Sequence, residues 1–289
     1  MPIVNLNQML QKAIKGKYAV LHVNVINYDM AKTAILAANE TSSPLIVAVS
    51  QKALDNCFEG VEDFAQMVKA IVNHEEISVP IAILLDHGKY ETVLEAIDAG
   101  FSAVMYDGSK LPLKDNLAKT KFVVDKAKSK KVSVECEVGA ITGKVEDKGA
   151  PVQLATIEEC KEMVATGIDC LAAGIGNLHG NYPQDWPGLN FDRLEEINKA
   201  LPKMPLVLHG GSGIPEMQIK KAITYGVCKF NVGTELLTAF TKELSDYFIS
   251  GKHKDQHGYD PRNYFPIALE SVKRVVVDKL KMLGSFGKA

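Results

Sequence analysis

Short, almost unbroken runs of Val, Ile, Leu and Ala alternate with longer stretches in which apolar residues recur every three or four positions, and the alternation runs through most of the chain. The short runs predict strands over 18–25, 44–49, 80–86, 102–106, 132–138, 170–175, 206–209 and 227–232. The longer stretches predict helices over 29–40, 62–74, 91–99, 115–130, 157–166, 191–200 and 216–225. Asp98-Ala99-Gly100, Thr166-Gly167-Ile168 and Tyr225-Gly226-Val227 each close a helix on glycine and open a strand, the pattern of a helix C-cap feeding a short loop. Strands that are apolar on both faces belong to a parallel sheet covered on both sides.

Eight such strands fit either a closed barrel or a doubly wound open sheet. An open sheet built for dinucleotides wants glycine in its first turn, but that turn reads Asn24-Val25-Ile26-Asn27-Tyr28. The missing glycine, the length of 289 residues and the lack of a linker predict one α/β domain over 1–289, a (β/α)8 TIM barrel. An extra N-terminal helix over 5–15 precedes it, and a C-terminal helical extension over 261–283 follows.

Composition narrows the function classes. Hydrophobic residues at 46% and charged residues at 24% are ordinary for a soluble enzyme. Thirty-three basic against 35 acidic residues give a net charge of −2, which offers no field for nucleic acid. No stretch reaches the roughly 18 apolar residues of a membrane span, and no signal-peptide pattern opens the chain, so a cytoplasmic protein without a membrane partner is expected. Cys57, Cys136, Cys160, Cys170 and Cys228 are odd in number and never form C-x-x-C, which suits reduced thiols. Lys126, Lys128, Lys130 and Lys131 read as the solvated face and last turn of a helix.

In this architecture chemistry sits at the C-terminal ends of strands. Three of the seven histidines fall there: His87 after strand three, His179 after strand six and His209 ending strand seven. One histidine alone is more often structural. Three on one rim point to a metal site, because neutral imidazoles suit Zn2+ and three protein ligands leave a position open. Asp86, beside His87, is placed to orient a ligand, to move protons or to cap the next helix. His209-Gly210-Gly211-Ser212-Gly213 and Asn231-Val232-Gly233-Thr234 follow strands seven and eight, where this fold binds phosphate. Glu135 and Glu137 share one strand face and need partners if that face is the barrel interior, a lysine bridge being the structural solution. The charged stretch Gly143–Gly149 reads as a lid or as a solvated loop.

Taken in order, Asp86-His87, Gly176-Asn177-Leu178-His179-Gly180, His209-Gly210-Gly211-Ser212-Gly213 and Asn231-Val232-Gly233-Thr234-Glu235 resemble the motifs of class II, zinc-dependent ketose-bisphosphate aldolases, the fructose- and tagatose-bisphosphate family. The likeness runs from Ile3 through Lys288 and includes Asp260-Pro261-Arg262. It implies a lyase that reversibly cleaves a ketose 1,6-bisphosphate, fructose 1,6-bisphosphate foremost, to dihydroxyacetone phosphate and glyceraldehyde 3-phosphate. It implies His87, His179 and His209 as Zn2+ ligands, Asp107 and Glu137 as alternative ligands, and Asp86 as the acid/base at the C4 hydroxyl. Gly180, Gly210, Gly211, Ser212, Asn231, Val232, Gly233, Thr234, Asn24 and Ser50 would form the substrate and phosphate site. Gly180, Gly210 and Ser212 would also hold a monovalent cation, Na+ or K+. Arg262 matches an arginine that reaches a neighbouring subunit's substrate, which implies a homo-oligomer, dimer or tetramer.

Two features depart from the family. Its mobile loop reads like Gly-Gly-(Glu/Gln)-Glu-Asp, whereas Thr142-Gly143-Lys144-Val145-Glu146-Asp147 is one residue longer; the loop acid that serves C3 maps to Glu146. Gly233 stands where many fructose enzymes have aspartate, as in tagatose enzymes, while Gly210-Gly211 looks like the fructose enzymes. Three rival readings differ in chemistry: tagatose 1,6-bisphosphate or another ketose phosphate as substrate, a Schiff-base aldolase with Lys229 as nucleophile, and a sugar-phosphate-binding protein that has lost catalysis. A zinc hydrolase of this fold would favour His-x-His on strand one, where the chain has His22-Val23-Asn24.

Overall fold

Eight parallel strands close on one another in chain order, the last pairing with the first. They are β1 Val20–Asn24, β2 Leu45–Ser50, β3 Ile81–Gly88, β4 Ala103–Tyr106, β5 Ser133–Val138, β6 Cys170–Ala173, β7 Leu206–Leu208 and β8 Val227–Val232. The helices are α1 Leu6–Gly16, α2 Tyr28–Glu40, α3 Gln51–Cys57, α4 Val61–His74, α5 Tyr90–Ala99, α6 Leu113–Lys130, α7 Ile157–Ala165, α8 Phe191–Ala200, α9 Glu216–Thr224, α10 Thr234–Ile249 and α11 Pro261–Met282. The structure is a computed structural model, and it describes residues 2–139, 141, 154–180 and 182–289. No described helix is long and apolar enough to cross a membrane.

The TIM barrel and both terminal helices expected from the alternation are present, with strand ends within two residues of the expected ones. Gly100, Gly167 and Gly226 all take positive φ at helix ends, as the repeated glycine pattern requires. Two helices had no counterpart in the sequence reading, the short α3 and the 16-residue α10.

Strand residues facing outward pack with the helices in one continuous shell. The barrel interior forms a second cluster, and α1 closes its N-terminal end. Leu6, Met9, Leu10 and Ala13 recur at helical spacing and are buried against Val20, Ile46 and Ala82. Burying a side chain such as Leu6 or Leu10 contributes about 1.5–3 kcal/mol. Towards the other end the interior turns polar: His22 then Asn24 on β1, Glu135 then Glu137 on β5, and Lys229 then Asn231 on β8. That gradient places the chemistry at one mouth of the barrel.

Candidate active site

The three rim histidines converge. Their ring centroids lie 4.9, 5.0 and 5.8 Å apart, and one ligand atom from each falls within 4.8 Å of the others. Strand alternation alone would send Asp86 and His87 to opposite faces. Instead the ladder between β3 and β4 shifts register between Leu85 and Gly88, and His87 takes a left-handed φ of 50°. This local kink brings both neighbours to the same cavity.

Each ring has one nitrogen committed to an oxygen acceptor. Nδ1 of His87 lies 3.3 Å from Asp107 Oδ2, and Nδ1 of His179 donates to the Ile141 carbonyl at 3.2 Å. Nε2 of His209 lies 2.8 Å from Glu135 Oε1. A carbonyl or carboxylate only accepts, so the hydrogen belongs on those nitrogens. The opposite nitrogens then carry lone pairs, the arrangement that orients histidine ligands around a metal. Among the described residues, His209 Nδ1 is buried without a hydrogen-bond partner, and Glu137 Oε2, at 3.5 Å, is equally unpartnered.

The electrostatics agree with a cation. Burial raises the Asp86 carboxyl, but nearby positive charge outweighs it and holds the group well below the usual carboxylate range. The charges that do so are those of His87, His22, His209 and Lys229, in that order, while burial pushes His22 itself down to about 3. For Asp107, burial is outweighed by the His87 and Ser109 hydrogen bonds, and for Glu135 by the charge of Lys229 and the His209 hydrogen bond; both carboxyls are lowered. Burial, then the charges of His209 and His87, push His179 down to about 4. Burial works against a charged His87, but Asp86 and Asp107 override it and push that ring up to about 9. The lowered carboxyls Asp86, Asp107 and Glu135 outnumber the one buried lysine beside them, so donors and charge both favour a cation.

Asp86 itself is buried, 3% exposed. Asn24 Nδ2 donates to its Oδ2 at 2.8 Å, and among the described residues Oδ1 has no hydrogen-bond partner.

The glycine-rich loops meet the histidines in a cavity of about 130 Å3. Asn24, Asp86, His87, His179, Gly180 and Asn231 line it together with Gly210, Gly211, Ser212, Gly233 and Thr234. A wider recess of about 720 Å3 shares Ser212 and Thr234 and runs outward past Tyr182. Gly233 caps α10, so the open amides of that helix start face the cavity rim and favour an anion. Ser212 Oγ accepts from Glu235 N at 3.1 Å, which ties the loop after β7 to α10. A Cβ on Gly210 would lie 1.8 Å from the Leu178 carbonyl, and one on Gly211 2.5 Å from the Asn231 carbonyl. The Gly211 N–H donates to that Asn231 carbonyl at 3.0 Å, so this amide is spent inside the chain.

Other expected residues among those described do not line this cavity. Ser50 accepts from Ala53 N and caps α3. The Val232 side chain is buried in the outer shell. Arg262 is paired with Asp260 at the start of α11, its side chain 88% exposed. Glu146 lies outside the described residues. Lys229 has no exposure and bonds Glu135 and Asn231, which removes it as a Schiff-base nucleophile.

The structure adds residues the sequence reading passed over. Asn177 is fully buried; its Oδ1 accepts from Ile175 N and its Nδ2 donates to the His209 carbonyl at 3.1 Å. The Tyr182 hydroxyl accepts from Leu178 N at 3.0 Å and donates to the Gly210 carbonyl at 2.9 Å. Together they bind the His179 loop to the His209 loop. Polar residues flanking His179 were the available signal. A larger cavity, about 530 Å3, opens at the opposite end of the barrel beside Tyr18 and Lys281. No convergent acids or histidines line it, so size does not locate the chemistry.

The family model described as fructose-bisphosphate aldolase class-II matches residues 4–288. The fructose-bisphosphate aldolase of Mycoplasma pneumoniae is 44% identical over 289 residues, covering 99% of this chain and 100% of its own. That of Mycoplasma genitalium is 43% identical over the same span and coverage. Among solved structures, the YdjI aldolase of Escherichia coli K12 superimposes with a TM-score of 0.84 at 30% identity, covering 99% of each chain.

Proposed function

The chain belongs to the class II fructose-bisphosphate aldolase family, and from that membership we propose that it cleaves fructose 1,6-bisphosphate to dihydroxyacetone phosphate and glyceraldehyde 3-phosphate. It is a metal-dependent aldolase, a lyase. The observation that carries the substrate reading is the joining, in one cavity, of three histidine ligands, a buried carboxylate and a phosphate-type helix start.

His87, His179 and His209 would hold the metal, with Zn2+ the ion that three imidazoles favour and Asp107 and Glu137 as alternative ligands. When bound, the ion supplies Lewis-acid polarisation of the ketose oxygens. Asp86, ionised and steadied by Asn24, takes the proton of the C4 hydroxyl. The C4–O bond becomes a carbonyl, the C3–C4 bond breaks, and its electron pair is left on C3. Glu146 then delivers a proton to C3, a role that rests on its place in the loop after β5. Thr234, Gly233 and Ser212 hold the C1 phosphate by the amides and hydroxyls around the start of α10. A monovalent cation beside Gly180, Gly210 and Ser212 would offset that phosphate's charge.

Arg262 and the exposed Ile249, Tyr259 and Ile267 share the C-terminal helical region. They support a homo-oligomer in which Arg262 meets the C6 phosphate of a neighbouring subunit. Tagatose 1,6-bisphosphate is a second substrate, favoured by Gly233. The test is cleavage of both sugars side by side, with and without a chelator. Fructose 1,6-bisphosphate turnover that chelation abolishes is expected; turnover indifferent to the chelator removes the reading.

A further inference from the structure

Inside the barrel, beneath the histidines, lies an ion pair that the mechanism above does not use. Glu135 Oε2 is 2.9 Å from Lys229 Nζ, and Oε1 is 3.0 Å from the same nitrogen and 2.8 Å from His209 Nε2. Lys229 Nζ also donates to Asn231 Oδ1 at 2.7 Å. Glu135, Lys229 and His209 have no exposure, and Asn231 has 7%.

A pair this deep is a poor way to stabilise a fold, since apolar side chains of similar volume often do as well or better. Its geometry does something that apolar side chains cannot. A carboxylate accepts only, so Glu135 places the hydrogen of His209 on Nε2 and leaves the lone pair on Nδ1. An ammonium donates only, so Lys229 turns the oxygen of Asn231 inward and leaves the amide Nδ2 as the free end of a residue that lines the cavity. One ammonium thereby fixes an electron-pair donor for a cation and a hydrogen-bond donor for a substrate oxygen.

We propose that Glu135 and Lys229 are positioning residues, a buried pair that sets His209 as an Nδ1 metal ligand and Asn231 as an amide donor. This rests on the reading of His209 as a ligand. The pair touches neither metal nor substrate. It acts through the two residues that do.

The experiment measures the Kd of Zn2+ for metal-free protein by chelator competition, with thermal unfolding recorded on the same samples. The variants are Glu135→Gln, Lys229→Met and the double variant Glu135→Met/Lys229→Met, with His209→Ala as reference. Glu135→Gln replaces one carboxylate oxygen by an NH2 that can only donate, set against the Lys229 ammonium or the His209 ring hydrogen, and zinc affinity should fall about ten- to a hundred-fold. The apolar double variant removes the buried charges in balance and is the decisive one. It should fold and still lose zinc affinity by a similar factor, with a raised KM for fructose 1,6-bisphosphate when saturated with zinc. A folded double variant that binds zinc within threefold of wild type overturns the proposal, because the pair is then only structural. Should none of the variants fold, the zinc-loaded wild type labelled with 15N-histidine decides. A His209 ring hydrogen on Nε2 supports the assignment, and one on Nδ1 overturns it. Zinc binding that survives His209→Ala contradicts the site reading itself, a result separate from the outcome of Glu135→Gln.

Discussion

Asn24 Nδ2 holds one oxygen of Asp86 at 2.8 Å, while the other, Oδ1, is buried with no hydrogen-bond partner among the described residues. The carboxylate is thus fixed at one end and free at the other, as a base waiting for a hydroxyl must be. Asp86→Ala should lower kcat by about a hundred- to ten-thousand-fold, the usual contribution of a positioned general base. Asn24→Ala removes one hydrogen bond to a charged group, worth about 1.5–3 kcal/mol, and should cost about ten- to a hundred-fold. Zinc content should match wild type in both, since neither residue is assigned as a ligand. Asp86→Ala protein that still turns over at wild-type rate would assign the proton to another group.

Tyr182 joins the His179 loop to the His209 loop through one hydroxyl. Burial pushes that hydroxyl up to about 12, so it stays protonated and keeps its donor role. Tyr182→Phe deletes both bonds with little change in shape. Denaturant unfolding should show a loss of about 1–3 kcal/mol, and KM should rise because Gly210 is no longer held. Unchanged stability and KM would mean Asn177 alone secures the two loops.

A Cβ on Gly233 would meet only Asn24, at 3.4 Å, which is ordinary contact. Gly233→Asp therefore fits, and it places a carboxylate beside the residue that steadies Asp86. Fructose and tagatose bisphosphates differ only at C4, and with no carboxylate at position 233 to select between them, wild type should cleave both. The variant should shift the ratio of kcat/KM towards fructose by about ten- to a hundred-fold, the worth of one charged hydrogen bond. A wild-type ratio above about a thousand for either sugar exceeds that worth and places selection elsewhere.

The strands were legible because a parallel barrel buries both faces of each, so they appear as unbroken apolar runs. Helix α10 carries the same kind of signal as the other helices, since Leu236, Phe240, Leu244 and Tyr247 recur at helical spacing, but only Leu236 is fully buried and Leu237, Phe248 and Ile249 blur the stripe on the exposed side. Helix α3 is seven residues long, too short for a periodic signal. His87, His179 and His209 were legible from their places at strand ends. The lysine bridge to Glu135 was legible as a need, but its partner was not: Glu135 and Lys229 lie 94 residues apart, and only closure of the barrel pairs them. The common orientation of Asp86 and His87 depends on the left-handed φ at His87, which no alternation rule foresees.

The central claim is that the three histidines bind the metal on which turnover depends, and metal analysis of single alanine variants tests it most directly. Wild type, His87→Ala, His179→Ala and His209→Ala would be saturated with zinc, passed through the same desalting step, and measured for bound zinc and cleavage of fructose 1,6-bisphosphate. Removing a ligand from a three-histidine site should strip most of the zinc and abolish turnover in every variant, with the fold retained. Full zinc occupancy in all three variants would contradict the account.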